Sequence, residues 1–198
     1  MSLIDKTDFS TLTAMTGSSN FRQMFFSYSP DEDNGIVDAS GLILPPTVTS
    51  HCYMHMFHNQ VTLISPPRVL PATNLSNSCY GYMFKGCTNL KTTPVLPSMD
   101  LYSYSAPYYG MFAGCSSLIN APVLPAPRLG EGAYTEMFSG CSSLNYVKCL
   151  ATNINGYRAT YNWLDGVASA GTFVKSASMN NWTVGYSGTP AGWTVINA

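Results

Sequence analysis

Apolar positions recur along this chain in a fixed order. An aromatic residue is followed three positions later by Met-Phe, then by Gly-Cys, then by a leucine, and the order returns. The Met-Phe pair stands at Met24-Phe25, Met56-Phe57, Met83-Phe84, Met111-Phe112 and Met137-Phe138, with a degenerate copy at Trp163-Leu164, so successive offsets are 32, 27, 28, 26 and 26. Self-similarity at a period of roughly 20 to 50 residues is the mark of a solenoid or array. The aromatics Phe21, Tyr53, Tyr80, Tyr108 and Tyr134 each precede Met by three and Phe by four. That spacing predicts one stripe of a helical turn, facing inward. A cofactor-binding box is the competing reading, but one cofactor does not require five copies, so a core stripe is expected.

Gly86, Gly114 and Gly140 follow the stripe, where a glycine suits the left-handed residue that ends a helix. Leu63, Leu90, Leu118 and Leu144 come next, and a short segment then closes in Leu70-Pro71, Leu96-Pro97 or Leu124-Pro125. Each segment is a candidate strand stacked in parallel on its neighbours. Pro67, Pro94 and Pro122 cannot donate to a ladder, which limits the regular strand to about three or four residues. A further inward position follows at Leu75, Leu101, Leu129 and Ile154. The pattern predicts an α/β repeat solenoid of about five units over residues 20–165, with short parallel strands on one side and short helical turns on the other.

The ends differ in pattern. Residues 1–19 carry Leu3, Ile4, Phe9, Leu12 and Met15 after a possible N-cap, Asp8, and are expected to form an N-terminal cap. The first unit is interrupted by a turn around Pro30-Asp31-Glu32-Asp33-Asn34-Gly35. Its acidic spacing does not match a calcium loop, so a solvated loop is expected. Residues 166–198 are expected to form a β-rich C-terminal cap, with Trp182-Thr183-Val184 and Trp193-Thr194-Val195 as a hairpin or paired strands. Trp163, Trp182 and Trp193 would cover the last apolar layer, or alternatively stack on a sugar.

The motif YxxMFxGCxxL followed by PxLP and a further leucine resembles the BspA-type leucine-rich repeats of gut bacterial surface proteins and their phages. The resemblance covers residues 50–165 strongly and the first unit weakly. The ending Trp163-Leu164-Asp165-Gly166-Val167, Gly171-Thr172-Phe173 and Gly188-Thr189-Pro190-Ala191-Gly192-Trp193-Thr194-Val195 is similar to a recurrent ending of such proteins. Met-Phe stands here where Ala-Phe is usual. The resemblance implies a leucine-rich-repeat-like fold and a protein-binding or adhesive role at a virion or bacterial cell surface.

Composition narrows the partners. Charged residues make up 10% of the chain and the formal net charge is −1, so no basic field exists to attract nucleic acid or acidic lipid. The apolar runs are too short to span a bilayer, and membrane insertion is not expected. The first residues lack the basic and apolar regions of a secretory signal, so the outer surface would be reached by another route, such as assembly into a virus particle, or after loss of a leader.

Candidate chemistry is sparse. Cys87, Cys115 and Cys141 share one column and Cys52 and Cys79 another, which reads as a ladder of small buried thiols, although neighbouring coils could lie within disulfide range. His51, His55 and His58 could share a helical face and hold a metal. Their columns vary in later units, so surface histidines and no metal are expected. No cofactor is implied. Asp100, Glu131, Glu136 and Asp165 are not paired as a glycan-cleaving enzyme requires, and an enzyme is not expected.

Recognition is left to the surface. The loop 98–107 and its flank carry Tyr102, Tyr104 and Tyr109, and Tyr-Ser composition suits recognition surfaces. Outward strand positions supply Asn120, Asn145 and Tyr146 as the other candidate face. The expected function is non-enzymatic adhesion to a protein or glycan. The alternative is a structural virion or assembly protein whose repeat face binds its own copies or a neighbouring subunit.

Overall fold

The computed structural model describes residues 17–32, 35–72, 74–180 and 182–198. The N-terminal cap expected at 1–19 therefore lies almost wholly outside the described residues, as does part of the acidic turn.

The expected α/β leucine-rich-repeat-like solenoid with helical turns is not what the structure shows. Among the described residues the only helix is a 3-10 turn, Pro30–Glu32, and the only strands are β1 (Tyr146–Cys149), β2 (Gly171–Lys175) and β3 (Trp193–Asn197), all in one parallel sheet. The segments 19–27, 51–59, 78–86, 106–114, 132–140 and 158–166, numbered here as layers 1 to 6, are runs of overlapping tight turns. Left-handed residues recur at every fourth position: His51, His55 and Asn59; Ser78, Tyr82 and Gly86; Gly132, Glu136 and Gly140. A right-handed helix admits no such residue.

The hydrogen bonds explain the geometry. In layer 2, the N–H groups of Cys52, Met54, Met56 and His58 donate to the carbonyls of Thr49, His51, Tyr53 and His55, three residues back. The alternate N–H groups, of His51, Tyr53, His55 and Phe57, donate instead to Asn77, Cys79, Gly81 and Met83 in layer 3. Every second turn carries its left-handed residue at the third position, as a type II turn requires. Among the described residues eleven that are not glycine accept this conformation, each disfavoured sterically, because the interlayer bonds fix the backbone there.

This ribbon has a side-chain period of four, which the helical reading mistook for three and four. Cys52-Tyr53 and Met56-Phe57 point inward and the residues between them lie outside the core. The rings then stack from layer to layer: Phe57, Phe84, Phe112 and Phe138 at centroid separations of 5.5 Å, and Tyr53 on Tyr80 at 5.4 Å. Layer 1 is less enclosed, and Met24 is 48% exposed, contrary to the inward position its column assigns it. All six cysteines are buried and none forms a disulfide among the described residues. Cys87, Cys115 and Cys141 donate their thiols to the carbonyls of Phe57, Phe84 and Phe112 one layer back.

On the opposite wall, before β1, contact between successive segments is limited to isolated parallel bridges such as Asp38 to Ser65 and Val69 to Val95. Asn120 bridges Tyr146 and Leu124 bridges Cys149, so five residues containing Pro122 lie against the four of β1. The extra residue and the missing N–H prevent a ladder. β1, β2 and β3 carry no proline and pair in continuous register, Tyr146 with Thr172 and Thr172 with Thr194.

The two Trp-Thr-Val triplets do not pair with each other. Trp193 opens β3, whereas Val184 makes an isolated bridge to Thr189. Trp163 lies in the core between Tyr134 and Trp182, stacked on both, and donates its indole N–H to Gly188 O.

Candidate functional site

The six tyrosines and asparagines singled out from sequence fall in four separate places. Tyr102 is exposed beside Arg128, whose guanidinium lies 5.3 Å from its ring and is paired with Asp100. Asp100 also accepts the Tyr102 N–H at 2.9 Å, and this hydrogen bond, more than the guanidinium, holds its carboxyl below the usual range. Tyr104 is partly buried against the core. Asn120, Asn145 and Tyr146 lie together on the strand wall, exposed. Tyr109 alone enters a groove.

That groove is built by one column of the turn wall. Tyr109, Thr135 and Tyr161 occupy equivalent positions in layers 4, 5 and 6, since Gly110 N–H donates to Thr135 O and Glu136 N–H to Tyr161 O. A small residue between two tyrosines leaves a slot whose sides are two layer spacings apart, roughly 10 Å. Thr135 is buried, with its hydroxyl donated to Arg158 O at 2.5 Å. Ala106 and Gly132 keep the floor low, a Cβ on Gly132 meeting that of Ala106 at 3.3 Å. The resulting groove encloses about 200 Å³, and Glu131, Glu136, Tyr157 and Arg158 complete its lining.

Aromatic surface continues past the groove on both sides. Tyr82 meets Tyr109 edge-on at 4.9 Å, and Tyr161 meets Tyr186 at 5.6 Å. Tyr157 is 71% and Tyr186 68% exposed. The Arg158 guanidinium sits 4.2 Å from the Tyr161 ring centroid, and among the described residues no carboxylate pairs with it. A tyrosine face offers a stacking surface for C–H groups, while carboxylates and guanidinium fix hydroxyls.

Sequence reasoning missed Tyr157, Arg158, Tyr161 and Tyr186. They surround the degenerate copy at Trp163-Leu164, where the core columns that align the units are altered. The alternation Tyr109, Thr135, Tyr161 was the signal available.

The histidines are also differently placed than expected. His55 and His58 are half-buried, with their Nδ1 atoms 2.7 Å apart and rings stacked at 4.9 Å. Burial, then the neighbouring His55, pushes the His58 imidazole down to about 4. His51 lies apart, with Nδ1 at 2.7 Å from Ser50 Oγ.

Comparison with protein-family models, with curated proteins and with solved structures found no match.

Proposed function

We propose that this protein is a non-enzymatic recognition module of an outer surface, and that it holds a glycan in the groove between Tyr109 and Tyr161. The carrying observation is that slot: two tyrosines of one column flank the buried Thr135, with Glu131, Glu136 and Arg158 around the opening. Sugar rings present apolar C–H faces and a rim of hydroxyls, which suits an aromatic slot with a few charged groups. Glu131 is exposed at the groove, where a carboxylate can accept hydrogen bonds from sugar hydroxyls. The resemblance of the repeat motif to BspA-type proteins supplies the setting, a virion or bacterial cell surface.

A glycan array probed with the full chain tests the reading. Binding should fall at least tenfold in Tyr161→Ala and in Tyr109→Ala, and stay within twofold in Tyr102→Ala. Equal binding by all three variants would remove the groove from consideration. Release of reducing ends from bound polysaccharide, abolished by Glu131→Gln or Glu136→Gln, would instead make the protein an enzyme.

One observation favours a structural reading. Ile43, Val69, Val95 and Val123 are about half exposed or more and neighbour one another along the strand wall, and a contiguous apolar stripe marks an association surface. A second copy of the chain is the occupant this reading requires. A monomeric mass in solution at high micromolar concentration would dismiss it.

A further inference from the structure

Layer 6 ends the interlayer ladder among the described residues. In layer 5 the N–H groups of Gly132, Tyr134, Glu136, Phe138 and Gly140 donate to carbonyls of Tyr157, Ala159, Tyr161, Trp163 and Asp165. The equivalent groups of layer 6 belong to Arg158, Thr160, Asn162, Leu164 and Gly166, and none has a hydrogen-bond partner among the described residues. The residues that follow cover this end without meeting them. Ser187 O takes the Thr160 hydroxyl at 2.7 Å and Gly188 O takes the Trp163 indole at 2.7 Å.

A cavity of about 460 Å³ opens between layer 6 and this covering segment. Arg158 and Thr160 line it on one side and Met179, Thr183 and Ser187 on the other. By continuation of the ladder, the Arg158 and Thr160 N–H groups are directed beyond layer 6, toward this space. Among the described residues no aspartate or glutamate lines the cavity. Arg158 is the one charged residue among the described residues that line it; its guanidinium lies over Tyr161 on the side shared with the tyrosine groove, and the described residues supply no carboxylate for it. Two aligned amides beside an unneutralised guanidinium form an anion site, since unpaired N–H groups carry partial positive charge and a planar guanidinium matches a carboxylate.

We infer that this terminal cavity binds the carboxylate of an acidic saccharide through the Arg158 and Thr160 amides and the Arg158 guanidinium. The inference rests on the glycan reading of the tyrosine groove, with which the cavity shares Arg158. A uronic-acid chain would place neutral ring faces against Tyr161 and Tyr157 and its carboxylate past Arg158. The ligand class then changes from any sugar to an anionic one.

The test titrates the ¹⁵N-labelled full chain with trigalacturonate and, separately, with its methyl ester. The Arg158 and Thr160 amide resonances should move with the acid, the ester should bind at least tenfold more weakly, and Arg158→Gln should cost at least tenfold in affinity for the acid. Arg158 is exposed, so an otherwise unchanged spectrum will show that the variant is folded. Equal binding of acid and ester, unaltered by Arg158→Gln, would overturn the anion site and leave the glycan groove standing. Movement of the two amides with sodium phosphate but not with the saccharide would overturn the carboxylate assignment. Binding of neither saccharide form, with no amide shift, would overturn both readings.

Discussion

The two walls of this molecule use the same backbone valences differently. On the turn wall each residue alternates between a bond to its own turn and a bond to the next layer, and the alternation is nearly unbroken from His51 to Gly140. On the strand wall the equivalent pairing is interrupted until Tyr146–Cys149, and only β1, β2 and β3 form a ladder. The difference lies in composition. Proline and an extra residue recur where segments pack chiefly through side chains, whereas the turn ribbon keeps a fixed length in layers 2 to 5 and admits proline only at Pro107, the position of Cys52, whose N–H bonds within its own turn and not to the next layer. Order is therefore greatest where the residues carry least regular secondary structure.

The largest test of that contrast is a pair of truncations. Phe112 is completely buried in the ring stack, and Phe112→Ala should cost about 3 to 5 kcal/mol. Val123 on the strand wall is 50% exposed, and Val123→Ala should stay within about 0.5 kcal/mol. Urea unfolding of both variants measures the difference. Comparable losses would mean that the walls share the load equally.

A smaller effect is expected at Gly110. It lies in the left-handed column at φ 54°, and an added Cβ would enter the Tyr82 ring. The backbone conformation is not prohibitive, since Ala106 adopts φ 51°. Gly110→Ala must instead push Tyr82 aside, at about 2 kcal/mol. The same substitution in Tyr82→Ala should cost only the roughly 1 kcal/mol of a left-handed alanine, and thermal melts of the single and double variants will show whether the ring supplies the rest.

These two sites also show how far the sequence could be read. Columns of Tyr, Met-Phe, Cys and Leu gave the core residues, because stacking repeats the same burial in each layer. The backbone was misread, because aromatic, Met and Phe at i, i+3 and i+4 satisfy both a helix of period 3.6 and a ribbon of period four. The residues that separate the two were present. Gly86, Gly110, Gly114, Gly132 and Gly140 fall in columns four apart, as left-handed positions demand, whereas the column of Gly86, Gly114 and Gly140 alone is equally compatible with the end of a helix. The site was missed for a related reason: Tyr157, Arg158 and Tyr161 lie in the unit whose core positions are most altered, where column alignment is weakest.

The histidine pair sharpens the contrast through pH. Burial holds the His58 imidazole at about 4, below its unfolded value, and His55 is lowered by burial as well. The unfolded chain then binds more protons between pH 4 and about 6.5, so stability is complete above the unfolded value and is lost as pH falls toward 4. Since the pair is only half-buried, the loss should be about 1 to 1.5 kcal/mol after screening. His58→Gln should flatten the profile over that window in urea unfolding at pH 7 and pH 4.5. An unchanged slope would place the acid sensitivity elsewhere.

The last test has the opposite sign and concerns one column of the turn wall. Cys87, Cys115 and Cys141 each donate a thiol to the phenylalanine carbonyl of the preceding layer, at 3.0 to 3.1 Å. Layer 2 breaks the column with Gln60, which is fully buried and has neither its side-chain oxygen nor its nitrogen hydrogen-bonded. A buried amide without partners costs more than a thiol that packs as a small apolar group and donates weakly. Gln60→Cys removes that penalty and sets a thiol toward Phe25 O, which occupies the acceptor position of Phe57 one layer earlier. The variant should gain about 1 kcal/mol, read as a higher urea midpoint under reducing conditions. Gln60→Ala separates the two contributions: it also relieves the unpaired amide but leaves a cavity, so it should gain less than cysteine. If alanine equals cysteine, the thiol-to-carbonyl bonds of this column contribute nothing to the stacking of the layers.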